Sequence, residues 1–276
     1  MWIGASSARL EFIPTFRHPS MNDLLEIHRE GRLLSIALNR PEKRNALNSQ
    51  LCRELVQQIE AAGRDPGVGA ILLTGNGKCF CAGMDLHEIA DAATDEISDV
   101  HEQLFTIGAR LAKPLVAAVQ NAALAGGTGL VANCHVVIAR ADAAFGLTEI
   151  RLGLWPYMVF RSVTAAIGER RTVELALTGR IVGATEAREM GLVHEVAEHA
   201  EQRALEVARG LAHSSPTAIR TGLGFVQEVR GRDWRTAGEI ARRIRDDVFE
   251  SKDFQEGLQA FRKKREPRWP SLRPPT

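Results

Sequence analysis

The spacing of apolar side chains divides the chain into a part where strands and helices alternate and a helical last part. Short apolar runs at 24–28 and at Leu33–Leu38 predict two strands joined by a turn. From Ser49 the apolar side chains recur about every four residues, which predicts a helix that Asp65-Pro66 ends. Further buried strands are predicted where the apolar runs are continuous, at 70–73, 115–119 and 136–139.

The rest of the pattern is helical. A second amphipathic helix is predicted at 97–111, between the third and fourth strands. After residue 170 strand signals become scarce, and helices are predicted at 172–177, 186–190, 202–211, 216–229, 235–249 and 254–264. Strands that alternate with helices, followed by helices alone, predict an α/β architecture with a helical C-terminal region.

Composition and charge exclude several classes of protein. The 276 residues carry 35 Lys and Arg against 34 Asp and Glu, a net charge of +1, so a nucleic-acid partner is not predicted. No apolar stretch reaches the ~18 residues of a membrane span, so no membrane partner is predicted either. Four cysteines make no disulfide framework in a chain of this size, which predicts reduced thiols and a cytoplasmic location. Residues 1–20 are interpreted as a disordered or mis-started leader.

Two glycine-containing loops, at 79–86 and 123–130, are the candidates for chemistry. The second contains a formal dinucleotide fingerprint, Gly127-x-Gly129-x-x-Ala132, but its glycines do not follow a strand directly and do not open the first βαβ unit. A nucleotide-dependent oxidoreductase is therefore the weakest alternative. Free backbone N–H groups cluster at helix starts, so the two loops together are able to form an oxyanion hole. The alternative is that these glycines only allow tight turns and close packing. Histidine pairs with metal-binding spacing on a helix are absent from the sequence, and no metal site is predicted.

Several segments resemble the signatures of the crotonase superfamily, the enoyl-CoA hydratases and isomerases. They read NRPEKRNALN at 39–48, FCAGMDL at 80–86, LAGG at 124–127 and FGLTEIRLG at 145–153. The resemblance extends in order from about residue 21 to about residue 265. It implies a crotonase-like spiral of repeated ββα units, with a core at 21–215 and a helical region at 216–276 for oligomerisation and coenzyme A contact.

The resemblance also implies a ligand and site residues. The substrate would be an acyl-CoA thioester, with no cofactor beyond the coenzyme A that it carries, and the assembly a trimer or hexamer of this chain. The thioester oxygen would lie between the backbone N–H groups of Met84 and Gly126. Residues expected along the coenzyme A and acyl path are Lys43, Ala46, Ala82, Asp85, Leu86, Tyr157, Phe261 and Lys264. Asp85 has an alternative role as a helix cap, and Phe261 and Lys264 as parts of a solvated amphipathic helix.

One departure from the family pattern decides which reaction is expected. Hydratases of the family place two glutamates over the substrate; the second maps to Glu149 and the first to Gly129, which has no side chain. Isomerases of the family rely on an acid at the Glu149 position alone. A second departure is the bulky stretch at 156–160, where Tyr157 either narrows the acyl pocket or packs at an ordinary helix start.

The sequence therefore predicts an acyl-CoA-processing enzyme that stabilises a thioester enolate, with Glu149 as its single acid/base, and it favours double-bond isomerisation. The alternatives are an enoyl-CoA hydratase, another enolate reaction such as decarboxylation or hydrolysis, and a non-catalytic acyl-CoA-binding protein.

Overall fold

A computed structural model describes residues 24–91 and 94–272 of the chain. Its strands are β1 (Leu25–Glu30), β2 (Leu33–Leu38), β3 (Ala70–Gly75), β4 (Leu115–Val119), β5 (Ala122–Leu124), β6 (Val136–Ala139), β7 (Ala144–Gly146), β8 (Val182–Gly183) and β9 (Glu195–Val196).

The helices between and after these strands are α1 (Ser49–Arg64), α2 (Leu86–Asp91), α3 (Thr94–Arg110), α4 (Gly126–Ala132), α5 (Tyr157–Ile167), α6 (Glu169–Thr178), α7 (Ala184–Met190), α8 (Ala200–Ala212), α9 (Pro216–Val229), α10 (Trp234–Phe249) and α11 (Lys252–Arg262). Short 3₁₀ turns cover Pro41–Lys43 and Glu149–Leu152. Within the described ranges, no helix is both long and apolar enough to cross a bilayer.

The strands form two sheets. The larger has the order β1-β2-β3-β4-β6-β9, in which β1 and β2 are an antiparallel hairpin and every later pair is parallel. The smaller has the order β5-β7-β8, with β5 and β7 parallel. The α/β architecture is the predicted one, and the hairpin followed by α1 is a ββα unit.

The larger sheet is buried on both faces. Along β3, Ile71 and Leu73 point into the main core, whereas Ala70 and Leu72 pack with α8 on the other face. Helix α8 presents a stripe of small side chains every four residues, at Ala200, Ala204, Ala208 and Ala212. The approach is so close that a β-carbon built on Gly69 would lie 2.4 Å from the carbonyl oxygen of Ala212. The sheet thus forms a rigid base for the loops that follow its strands.

The structure corrects the sequence-based elements in the middle of the chain. Three-residue strands β5 and β7 were not predicted, because so short a run gives no period. Helix α5 was not predicted as a helix either. The predicted leader at 1–20 lies outside the described residues. Helices α9 and α10 contain no buried residue, in contrast to α8, and the boundary near 215 stays a prediction.

Candidate active site

Three chain segments run parallel to one another at the centre of the candidate site. Cys81 forms a parallel bridge with Ala123, and Ala123 pairs in turn with Phe145 across β5 and β7. The hydrogen bonds from Cys81 N to Ala122 O (3.0 Å) and from Leu124 N to Cys81 O (3.0 Å) fix this register. Three or four positions further along, each segment carries one of the predicted catalytic residues, Met84, Gly126 and Glu149.

The backbone N–H of Met84 is turned away from its neighbouring strand. The backbone N–H of Leu47 donates to Gly83 O (2.8 Å), and Leu47 O accepts from Asp85 N (2.9 Å). Leu47 thus forms its hydrogen bonds with the residues on either side of Met84 and not with Met84 itself. In a parallel ladder the intervening residue points its own N–H to the opposite side. On that side a β-carbon built on Gly126 would lie 3.6 Å from Met84 N.

The N–H of Gly126 faces the same small space. Gly126 is the first residue of α4, where an amide has no acceptor within its own helix. A β-carbon built on Gly83, beside Met84, would lie 3.5 Å from Gly126 N. Neither amide donates to another residue in the described part of the chain. Two free donors that converge on one space are the arrangement that an oxyanion requires.

The residue before Gly126 is strained. Ala125 has φ 50° and ψ −116°. This backbone conformation is unfavourable by about 1–3 kcal/mol for a residue that has a side chain. Its amide is fixed by a hydrogen bond to Gly146 O (2.8 Å), and the Thr128 hydroxyl accepts a hydrogen bond from Gly146 N (3.1 Å). The start of α4 is therefore held against β7 in the one orientation that aims the Gly126 N–H outward.

Glu149 is a buried carboxylic acid, and one of its two oxygens lacks a partner. It begins the 3₁₀ turn that follows β7, and only 6% of its surface is exposed. Among the described residues no donor reaches its Oε2. Burial raises the pKa of Glu149, with its own backbone amide as a weaker opposing influence. A carboxylate whose pKa is raised by burial is better suited to accept and return a proton than an exposed one.

The structure shows why position 129 has no carboxylate. A β-carbon built on Gly129 would lie 2.2 Å from Val159 Cγ1 and 3.1 Å from Phe105 Cδ1. The space that a glutamate side chain would need is therefore filled by α5 and α3. Glu149 is left as the acid/base candidate.

The dinucleotide alternative for the second loop is wrong. A β-carbon built on Gly127 would lie 2.3 Å from Cys81 O, so this glycine allows the backbones to approach and does not open toward a ligand. Helix α4 is also only seven residues long.

The residues expected along the coenzyme A path before α3 differ in their exposure. Ala46, Ala82 and Asp85 are half-buried, whereas Lys43 and Leu86 are exposed. Asp85 pairs with Arg40 at 3.0 Å, and its other oxygen accepts from His87 N at the start of α2 (3.3 Å). Burial alone would raise the pKa of Asp85, but the bond and charge of Arg40 outweigh it, and the pKa is lowered. The helix-cap role is thus present, and a role in binding stays a prediction.

Sequence reasoning missed Asn45, which organises the first signature. Its side chain is fully buried, accepts from Arg40 N (2.8 Å) and donates to Asn76 O (3.0 Å) and Cys79 O (2.8 Å). It also has φ 54°, a conformation that asparagine tolerates better than most residues. Together with the Arg40–Asp85 pair, it ties the first signature to the loop that carries Met84. The available signal was its place inside that signature.

The three aromatic and basic candidates further along lie at the surface of this chain. Tyr157 is 73% exposed at the start of α5 and Phe261 is 81% exposed near the end of α11. Tyr157 thus begins a helix, as its alternative interpretation had it, but its side chain is not packed within this chain. Its contact with an acyl group stays a prediction. Lys264 is exposed too, and its neighbour Arg265 pairs with Glu256 at 2.6 Å.

The cysteines are excluded as nucleophiles. Cys52, Cys79, Cys81 and Cys134 are all free and buried. Burial raises the pKa of Cys52, Cys81 and Cys134 to about 12, so they carry almost no thiolate at neutral pH.

Comparison with known proteins shows the family of the chain. The model of the family "Enoyl-CoA hydratase/isomerase" matches residues 28–272. The chain belongs to this family. The 2,3-dehydroadipyl-CoA hydratase of Escherichia coli K12 is 34% identical over 253 residues, which covers 90% of this chain and 98% of that protein. Enoyl-CoA hydratase EchA19 of Mycobacterium tuberculosis H37Rv is 34% identical and the match covers 87% and 94% of the two chains.

Solved structures show the same fold. The crystal structure of an enoyl-CoA hydratase from Bacillus anthracis superposes with a TM-score of 0.84 at 31% identity, over 90% of this chain and 100% of that one. The predicted crotonase-superfamily membership and fold are thereby confirmed. This member of the family is an acyl-CoA enzyme of the hydratase/isomerase type.

The isolated carboxylate of Glu149 generates a prediction about stability. Because burial raises the pKa of Glu149 in the folded chain, its ionised form costs the folded state free energy above that pKa. Glu149→Gln removes the charge and should therefore stabilise the protein at neutral pH. The gain should shrink as the pH falls through the pKa range of the folded and then the unfolded carboxyl, where Glu149 is protonated in both states. Thermal unfolding of both proteins from neutral to acid pH measures this, with Glu198→Gln as the exposed control. Equal stabilities at neutral pH would contradict it.

Proposed function

We propose that this enzyme moves the double bond of a 3-enoyl-CoA to the 2-position through a thioester enolate, with Glu149 as its single acid/base. The observation that carries the proposal combines two features: Glu149 is buried with an unpaired Oε2, and the side-chain space at position 129 is filled by Val159. One carboxylate suffices for a proton that leaves one carbon and returns to another. Hydration asks in addition for a positioned water.

The proposed mechanism uses the two free amides and the carboxylate in turn. The thioester oxygen accepts hydrogen bonds from Met84 N and Gly126 N. Glu149 takes the proton from C2, and the electron pair of the C–H bond passes into the conjugated dienolate, whose charge rests on the thioester oxygen. The fixed amide dipoles stabilise that charge as it forms. Glu149 then returns the proton at C4, so the product has the same composition as the substrate.

Hydration of a 2-enoyl-CoA is the second candidate, and one observation favours it. The relatives described above carry hydratase names. In this chain the attacking water would depend on Glu149 alone. Decarboxylation and thioester hydrolysis would use the same two amides. A protein that only binds acyl-CoA would need the amides and not the buried carboxylate.

Glu149→Gln tests the proposed chemistry. Replacing the acid/base with a neutral amide should lower turnover of 3-enoyl-CoA by at least about 100-fold, since general acid–base catalysis contributes 10²–10⁴. Mass spectrometry of the native reaction distinguishes the candidates: an unchanged mass with a moved double bond means isomerisation, and the addition of water means hydration. Strong hydration of 2-enoyl-CoA with weak isomerisation would overturn the preference. Near-native turnover by Glu149→Gln would remove this residue from the mechanism, and Glu198→Gln serves as the control.

Gly126→Ala tests the oxyanion hole. The new methyl group would lie 3.6 Å from Met84 N, in the space that the oxygen needs, and 3.3 Å from Leu47 and Phe105. Loss of one such donor costs ~2.7–4 kcal/mol, so kcat/KM should fall by about 100-fold or more. Gly210→Ala is the matched control, because a β-carbon there meets nothing within 4 Å. Thermal unfolding checks that both variants fold, and near-native kcat/KM in a folded Gly126→Ala would contradict the assignment.

We also propose that the enzyme assembles as a trimer or hexamer through the region at 216–276. Helices α9 and α10 pack together, yet neither has a buried residue, and Trp234 is 95% exposed. Amphipathic helices owe most of their stability to a covered apolar face, which a single chain does not supply here.

Light scattering should therefore give a mass of three or six chains that persists on dilution to micromolar concentration. The physical reason is that dissociation would expose the apolar faces of α9 and α10. A stable monomer of full activity at that concentration would contradict the proposed assembly. The mass also decides between trimer and hexamer.

A further inference from the structure

A second buried polar atom near the site has no use in the reaction described above. His101 is 4% exposed, and no hydrogen-bond partner reaches its Nε2 among the described residues. Leaving such an atom buried and unpaired costs about 1–3 kcal/mol. Buried polar groups are normally paired, so an orphan calls for a ligand, a water or a functional role.

His101 shares a helix face with the residue that lines the oxyanion loop. It lies one turn before Phe105 on α3, and the two ring centroids are 5.9 Å apart. The Phe105 ring reaches within 3.3 Å of a β-carbon built on Gly126 and within 3.1 Å of one built on Gly129. The imidazole is therefore one side chain away from the oxyanion hole and from the position where the family's first glutamate would begin.

The charges around His101 restrict what it is able to bind. Burial lowers the pKa of His101, and the nearby Glu88 carboxylate opposes this more weakly, so the neutral ring is favoured. Glu88, on α2, accepts a hydrogen bond from Ser49 N (2.7 Å), and this bond holds its carboxylate at the start of α1. A neutral imidazole both donates and accepts hydrogen bonds. The adjacent carboxylate disfavours an anionic ligand group at the same place.

We propose that His101 is a specificity-determining residue whose Nε2 hydrogen-bonds an uncharged oxygen, a hydroxyl or keto group, on the acyl chain of the substrate. The inference rests on the proposed acyl-CoA reaction and names the class of acyl group that the same site takes. A site that offers a buried hydrogen-bonding atom discriminates strongly against analogues that leave that atom unpaired.

Binding of saturated thioesters tests this without relying on turnover. The probes are hexanoyl-CoA, 6-hydroxyhexanoyl-CoA, 5-oxohexanoyl-CoA and adipoyl-CoA, together with their eight-carbon counterparts, measured by calorimetry on the full-length native protein. We expect one of the hydroxyl or keto probes to bind about ten-fold more tightly than the unsubstituted chain of equal length, which corresponds to one hydrogen bond. The carboxylate probe should show no such gain.

Two variants assign the preference to His101. His101→Phe keeps an aromatic ring against Phe105 and removes the nitrogen, so it should abolish the preference and leave the affinity for hexanoyl-CoA within about two-fold. His101→Gln keeps a hydrogen-bonding group and should retain part of the preference, and it replaces the first variant if that one fails to fold. His199→Phe is the control, because His199 is exposed at the start of α8.

The outcomes separate this inference from the proposed function. If no thioester binds at all, the proposed function fails. If thioesters bind but the native protein shows no preference for an uncharged oxygen, only the inference about His101 is overturned. It is also overturned if His101→Phe keeps the preference, or weakens all probes equally, which would indicate a packing role.

Discussion

The backbone register between the segments at Cys81, Ala123 and Phe145 is the constraint on which the rest of the site depends. Main-chain hydrogen bonds align these segments in parallel, and each of them then leaves the layer at the same end. Met84, Gly126 and Glu149 lie at equivalent distances beyond that line. A slip by one residue in any of the three would turn an amide away or move the carboxylate to another place. The larger sheet beneath, buried on both faces, holds the register.

Several residues of the candidate site have conformations or environments that lower the stability of the fold. Ala125 has a strained backbone immediately before the Gly126 amide, Glu149 is buried without a partner for one oxygen, and the N–H groups of Met84 and Gly126 have no acceptor in the described chain. Each of these is unfavourable for folding and useful for binding a developing negative charge or moving a proton. The core around them offsets the cost. A site of this kind is stable because the surrounding packing over-determines it.

The sequence was sufficient for most of the long elements, with helix α5 as the exception. Helix α1 was predicted at its observed bounds from the apolar spacing that begins at Ser49 and from Asp65-Pro66, which ends it. The structure adds the cap, in which the Asn48 side chain accepts a hydrogen bond from Leu51 N (3.0 Å). The family resemblance indicated Met84, Gly126 and Glu149. Strands β5 and β7 were not predicted, because three residues are too few to show an alternating apolar pattern. These two strands nevertheless align the segments that carry the candidate site residues. The role of Asn45 and the orphaned His101 depend on contacts between distant segments, which neither spacing nor composition encodes.

At position 129, the absent side chain and the neighbouring side chains that fill its space have to be considered together. Because Gly129 has no β-carbon, Val159 of α5 is able to pack closely against it. A β-carbon built on Gly129 would lie only 2.2 Å from Val159 Cγ1. A glutamate could not be restored there by a single substitution, because Val159 and Phe105 already occupy the space. The loss of the first acid is thus built into the packing of α3, α4 and α5 and is not an isolated gap in an otherwise unchanged site. The same packing places the Phe105 ring beside Gly126 and Gly129, and the His101 ring next to Phe105. Helix α3, which helps to fill the space at position 129, is thus also the helix that carries the buried and unpaired Nε2 of His101.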